Sequence, residues 1–216
     1  MSYEDANVVT YATAPTATDR DGVCAAQQLA GAGNLIIAGA LASGGIAAFG
    51  EQQRVAIYSA GNLSTLTFTI YGTTTFGDSI SEAVTGPNNG TVSTTANFKQ
   101  VTRVAVSGAV ETNVEVGNSN ALETPWVELM PSRPLKGISV ELSSGASLTY
   151  EVQYANRKRV NSADAETAII ALADATLTAK TANAGLVTSV PWPMTRLKIT
   201  SFVSGTATLR VIECPA

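Results

Sequence analysis

The chain has 216 residues, enough for one large β domain or two small ones with a real hydrophobic core. Apolar residues make up 45% and charged residues only 14%, which excludes disorder throughout and leaves a surface of hydroxyl and small residues. The net charge is −4 and the 13 basic residues are scattered, so the Lys/Arg stripe of a nucleic-acid binder is missing; the one tight cluster, Arg157-Lys158-Arg159, reads as a solvated turn.

Residues 1–22, MSYEDANVVTYATAPTATDRDG, have no basic start followed by an apolar run, so they do not read as a secretory signal. They read as an extended arm of the kind that orders against a neighbour. The stretch 33–50, GNLIIAGALASGGIAAFG, is uncharged but too short for a membrane span, and its glycines weaken a helix by about 1 kcal/mol each. It predicts two short strands, 34–38 and 46–49, joined by a Ser-Gly-Gly turn. The polar run Glu51-Gln52-Gln53-Arg54 then separates these from a strand at 55–58.

Period-two alternation marks the strands that follow. Leu66, Phe68 and Ile70 alternate with threonines, and residues 80–84 form a shorter run carrying Glu82. Val104 and Val106, Val114 and Val116, then Ile138, Val140 and Leu142 repeat the pattern. So do Leu148, Tyr150, Val152 and Tyr154, Leu197 with Ile199, and Leu209 with Val211. Turn signals at 60–62, 76–78, 86–90, 143–145 and 204–205 separate these runs at about ten-residue intervals, the spacing of a sandwich or jelly roll. Residues 163–173, ADAETAIIALA, are a candidate short helix by propensity, and 174–185 read as loop.

Three segments share one plan of strand, Gly-containing turn and strand: 101–117, 137–154 and 194–213. This weak repeat, and the polar Asn118-Ser119-Asn120, predict two β modules, 23–120 and 121–216, behind the arm 1–22. The expected fold is therefore all-β, sandwich or jelly-roll-like, in two modules.

Chemistry is sparse. No histidine occurs, which removes His-based triads, His-ligated metals and the usual general base. Neither a phosphate-cradling loop nor a calcium-loop spacing is present. Among the acids, Glu82, Glu111, Glu123 and Glu128 offer no pair that stands out as a glycosidase couple, and read as solvated strand faces. Cys24 and Cys214, near opposite ends, are too few for a disulfide framework or a zinc site; they read as two free thiols, or as a pair if the ends of the fold meet. The expectation is no enzyme, no catalytic residue, no cofactor and no metal. Trp126 and Trp192 each sit beside proline and either plug the end of a sandwich or anchor an interface. With Tyr3, Tyr11 and Arg20 of the arm they form the set of interface candidates.

The pieces SAGNLSTLTFTIYGT and SEAVTGPNNGTVSTTANFKQVTRVAVSG, with the Gly-rich lead before them, resemble a module of virion structural proteins of tailed bacteriophages. In the second half, LTYEVQYA and KTANAGLVTSVPWPMTRLKITSFVSGTATLRVIE resemble a second β module of the same proteins. The Ala-rich 156–180 region departs from that pattern. The resemblance implies a virion component assembled in the host cytoplasm, of the capsid decoration or cement type. Its implied partners are the major capsid protein or other virion subunits and itself, as a homo-oligomer such as a trimer, with neither nucleic acid nor membrane. A tail or head-to-tail component (nozzle, tube or fibre base) is the alternative the same resemblance allows. A carbohydrate-binding host-attachment module is a third expectation, poorly served by 6% aromatics.

Overall fold

A computed structural model of the chain describes residues 7–13, 18–130, 132–133, 135–155, 171–190 and 192–214. Among these residues there are sixteen strands and no helix, so the fold is all-β. The strands gather into two compact units. The central unit is Thr16–Leu122; the split unit combines Met1–Pro15 with Glu123–Ala216.

In the central unit the strands are β2 (Cys24–Leu29), β3 (Gly33–Asn34), β4 (Ala42–Ser43), β5 (Ile46–Asn62), β6 (Thr67–Thr73), β7 (Ser79–Thr85), β8 (Asn88–Val106) and β9 (Val110–Glu123). Their order is β9-β5-β8-β6-β7, with β2 on β9, β3 on β8 and β4 on β5. Alternation decides what goes inside: Phe68 and Ile70 of β6 are fully buried, while Thr67 is exposed and Thr69 and Tyr71 are half-buried. Val55, Ile57, Phe98, Val104, Val114 and Val116 join them in one core. Each such side chain removed from water stabilises the unit by about 1.5–3 kcal/mol.

The polar run 51–54 does not break the chain into two strands, as the sequence suggests. β5 continues through it for 17 residues. Its ladder with β8 slips between Ala48 and Gln53, Arg54 and Ala56, and Ser59 and Asn62. Bulges of this kind bend a strand while keeping it in the sheet. Gln53 is buried because the Asn118 side-chain amide donates to its Oε1 at 2.7 Å. In β8 the slip near Thr94 is filled by side chains: the Val55 N–H donates to Thr94 Oγ1 at 2.9 Å, and that hydroxyl donates to the Ala96 carbonyl at 2.8 Å.

The stretch 33–50 is not a helix; its second expected strand, 46–49, opens β5, while the first differs from the expected 34–38. Only Gly33–Asn34 pairs as β3; 35–38 form no strand, though the Leu35 N–H donates to the Val104 carbonyl at 2.9 Å. The Ser-Gly-Gly turn is a two-residue hairpin linking β4 to β5, with Ser43 opposite Ile46. Gly44 and Gly45 have φ of 60° and 80°, the double positive-φ geometry that favours glycine in a type I′ turn.

In the split unit the strands are β1 (Asn7–Thr13), β10 (Val127–Glu128), β11 (Leu135–Leu142), β12 (Ser147–Ala155), β13 (Ala171–Ala173), β14 (Ala184–Thr188), β15 (Met194–Ser204) and β16 (Ala207–Cys214). One sheet has the order β1-β16-β11-β14; β13, β12, β15 and β10 pair separately, in that order. The inward rows of both are buried: Ile138, Val140, Leu209 and Val211 from the first, Leu148, Tyr150, Val152, Leu197 and Ile199 from the second. This is a sandwich-like arrangement.

The segments read as strand-turn-strand repeats are not hairpins. β11 and β12 belong to different sheets, and so do β15 and β16. Each Gly-containing turn therefore carries the chain from one layer to the other. The two crossings sit side by side: the Ser143 N–H donates to the Thr206 carbonyl at 3.0 Å, and the Thr206 N–H donates to Ser143 Oγ at 3.0 Å. Gly205, at φ 97°, leaves no room for a Cβ, which would lie 2.5 Å from that of Ala146. In the central unit β8 and β9 are likewise not neighbours, since β5 lies between them.

The arm divides. Residues 7–13 form an edge strand antiparallel to β16, from Asn7 opposite Glu213 to Thr13 opposite Ala207. Residues 18–22 run along β9, where the Asp19 N–H donates to Asn118 Oδ1 at 2.8 Å and the Asn118 N–H donates back to the Asp19 carbonyl at 3.2 Å. The described parts of this segment thus find partners within the chain. Asn118-Ser119-Asn120 lies inside β9, with Asn118 held by those bonds, and the two units divide just beyond it, between Leu122 and Glu123. Of the candidate helix at 163–173, residues 163–170 lie outside the described residues, and Ala171–Ala173 is strand β13. The expected loop at 174–185 ends in β14.

Candidate functional site

Four of the five interface candidates lie among the described residues. Tyr3 lies outside the described residues, as does the cluster Arg157-Lys158-Arg159. Tyr11 sits in β1 opposite Leu209, on the half-buried row of that strand. Arg20 lies in the central unit, with its guanidinium 3.9 Å over the ring of Tyr58 and ion-paired to Glu115. The Glu115 carboxylate pushes the Arg20 pKa further up. Both contacts hold the lead-in segment on β5 and β9, so the residue has a structural use within its own chain.

The tryptophans belong to the split unit. Trp126 is 8% exposed and clusters with Ala155 and Met194. The Arg196 guanidinium lies 4.3 Å from its ring centroid. Trp192, half-buried, stacks on Tyr154 with centroids 5.4 Å apart and planes at 6°. Burial pushes the Tyr154 phenol pKa well above its ordinary value, with Asp174 adding to the effect. Both polar tips, Trp126 Nε1 and Tyr154 OH, are buried without a hydrogen-bond partner.

Around this cluster runs a charge network that sequence reading missed. Arg196 is ion-paired to Glu123 at 2.7 Å and donates from Nε to Gln153 Oε1 at 2.9 Å. Gln153 donates to Glu151 Oε1 at 2.7 Å, and Lys198 bridges Glu151 at 3.2 Å and Glu123 at 3.9 Å. The groups come from β12, β15 and the end of β9, and no local pattern announces them. Chemically the network ties strands together: both carboxylates face cations across a ladder, not an open cleft.

Of the remaining acids, Glu111 and Glu128 are exposed on their strands, and Glu82 is the one that differs from a solvated face. Glu82 of β7 accepts from the Thr95 N–H at 2.8 Å, the Thr95 hydroxyl at 3.0 Å and the Ala96 N–H at 2.8 Å. It replaces ladder bonds that the β8 bulge leaves open. Glu111 lines a groove of about 260 Å³ with Asn62, Thr65 and Thr112, and that groove holds no second carboxylate. Glu128, in β10, is exposed. Among the described residues no group of three or more His, Cys, Asp or Glu side chains is placed to hold a metal ion. No helix of the described residues is long and apolar enough to cross a membrane. Cys24 and Cys214 are both free. Burial pushes the Cys24 thiol up to about 12.

A second buried polar cluster lies at one end of the four-stranded sheet. Lys136 and Glu213 face each other across β11 and β16, and both are fully buried. Glu213 accepts from the Met130 N–H at 2.6 Å and the Asn7 side-chain amide at 3.0 Å, while Lys136 Nζ donates to the Arg133 carbonyl at 2.7 Å. This cluster ties Asn7 of β1, Met130 and Arg133 to the sheet.

What the fold and these side chains define is an all-β protein whose charged and aromatic groups serve to join strands. Comparison with known protein families, with curated proteins and with solved structures found no match.

Proposed function

We propose that the chain is a non-enzymatic structural subunit of a tailed-phage particle, a capsid decoration protein that binds across major capsid subunits and stabilises the shell. The observation that supports it most is the use of its reactive side chains. Glu82, Glu123, Glu151, Arg196, Lys198 and Glu213 bridge strands or hold connections to them, and Arg20 ties the lead-in segment to β9. The sequence resemblance set out above supplies the particle. Exposed apolar side chains, Val8, Leu135 and Val187 among them, lie on sheet strands, where a flat protein partner can cover them.

Particles stripped of the protein should rupture at lower temperature and regain their resistance when the purified chain is added back. Unchanged rupture in both states would remove the decoration reading. A tail component remains the neighbouring reading, and copy number separates it: roughly hundreds per particle for a shell protein, about six or twelve for a tail one.

A further inference from the structure

Three residues of the four-stranded sheet share one cross-strand row. Glu213 of β16 stands opposite Asn7 of β1 on one side and Lys136 of β11 on the other. Partners in register point to the same face. Here it is the inner face, which continues along the strands as Ile138, Val140, Leu209 and Val211. Lys136 and Glu213 are fully buried, and Asn7 is half-buried. Met130 and Arg133 close that end of the row: the Met130 N–H donates to Glu213 Oε1 at 2.6 Å, and the Arg133 guanidinium donates to the Glu213 backbone carbonyl at 3.1 Å.

Among the described residues the Lys136 Nζ has one partner, the neutral Arg133 carbonyl at 2.7 Å. An ammonium held in a core by a carbonyl alone is costly, because nothing balances its charge. The carboxylate beside it is engaged on its other side, where Glu213 Oε2 accepts from the Asn7 side-chain amide at 3.0 Å. A buried nucleophile, a carboxylate and a side-chain amide thus stand in one row, away from bulk water.

We propose that Lys136 and Asn7 join in an isopeptide bond, with Glu213 as the proton carrier between them. The spacing suits it. In an antiparallel row, a central residue is about 5.5 Å from one partner and about 4.5 Å from the other, so the outer two Cα atoms lie about 10 Å apart. An extended lysine reaches about 6 Å from its Cα and an asparagine about 2.5 Å to its Cγ, and one C–N bond of about 1.3 Å closes the gap. Rotation about the outer bonds of the lysine carries its nitrogen from the Arg133 carbonyl to Asn7. Lys136 gives a proton to Glu213, and its Nζ attacks Asn7 Cγ. The new C–N bond forms as the Cγ–Nδ2 bond breaks. The proton shed by the attacking nitrogen passes to Nδ2, which leaves as ammonia, and Glu213 hands its own proton to the departing group. The step consumes no oxidant, reductant or second molecule, and it removes the buried charge. It occurs once, within the chain, and ties β1 to β11 across β16. The proposal does not depend on the particle reading.

Mass spectrometry of the purified full chain, intact and after trypsin, tests it. The expected result is a chain lighter than its sequence by one ammonia, and a branched fragment that joins the Asn7 peptide to the Lys136 peptide. Asn7→Ala, a change at a half-buried position of an edge strand, should abolish both. Asn7→Asp should shed water in place of ammonia and arrive at the same mass as the parent, since the two products are identical. Glu213→Gln should leave the peptides separate. A parent chain of full sequence mass, with the Asn7 and Lys136 peptides recovered apart, overturns the proposal. So does an ammonia loss that persists in Asn7→Ala.

Discussion

Replacing Glu213 probes the lock that holds the N-terminal strand. Its carboxylate is fully buried and accepts from the Met130 N–H at 2.6 Å and the Asn7 amide at 3.0 Å. Glu213→Ala removes two charge-assisted bonds of about 1.5–3 kcal/mol each, one of them from the part-buried Met130 N–H. Lys136, the register partner of Glu213 across β11 and β16, keeps its bond to the Arg133 carbonyl in this variant. We therefore expect a loss of about 4 kcal/mol, or a fall in Tm of about 15 °C for a unit of this size. Glu213→Gln keeps an acceptor of the same shape and should lose about half as much. The assay is urea unfolding followed by tryptophan fluorescence. The chain has two tryptophans, Trp126 and Trp192, and both lie in the split unit, so the signal reports that unit alone. Limited proteolysis should also cut near β1 in Glu213→Ala. If both variants stay within about 0.5 kcal/mol of the parent, the buried cluster does not hold the arm, and the reasoning fails.

Three further expectations concern the central unit. Glu82→Ala should lose about 1–2 kcal/mol and speed amide exchange at Thr95 and Ala96, whose N–H groups it accepts; unchanged protection there would deny the clamp. Gly117→Ala would place a Cβ 1.7 Å from the Asp19 carbonyl, so it should cost about 2 kcal/mol and free the lead-in segment, seen as faster exchange at Asn118. The folded Cys24 thiol is pushed up to about 12 by burial, so the folded state keeps a proton that the unfolded chain gives up in the ordinary thiol range. Stability is then fully present below that range and falls as pH rises through it towards about 12, by at most about 1.4 kcal/mol per unit. A Cys24→Ala variant should lack this alkaline loss; an identical pH profile would count against it.

The strands were legible where burial is one-sided. Phe68 and Ile70, or Leu209 and Val211, announce their inner face by simple alternation, because a half-buried strand must separate apolar from polar every second residue. Sheet membership was not legible. Leu142 and Ser147 flank a Ser-Gly turn that looks like a hairpin, yet the chain changes layers there. A local pattern fixes the faces of each strand but not which strand lies beside it. Gln52 and Gln53 read as a break because their burial rests on partners such as Asn118, 65 residues from Gln53. Strand β1 was missed for a related reason: Val9 and Tyr11 alternate with Val8 and Thr10 without a clear polar face, since both sides are only partly covered. The tryptophans, each beside a proline, read as packing or interface residues; Trp126 packs on Ala155 and Met194, and Trp192 on Tyr154. The Arg196–Glu123–Lys198–Glu151 network was invisible, being assembled from strands distant in sequence.

The central claim is that this chain holds a particle together and performs no reaction on another molecule. Quantitative protein analysis of purified, intact virions tests it most directly. The account predicts the chain in every particle, at a fixed ratio to the major shell protein and in roughly hundreds of copies. Its absence from washed particles, while present free in the lysate, would contradict the claim.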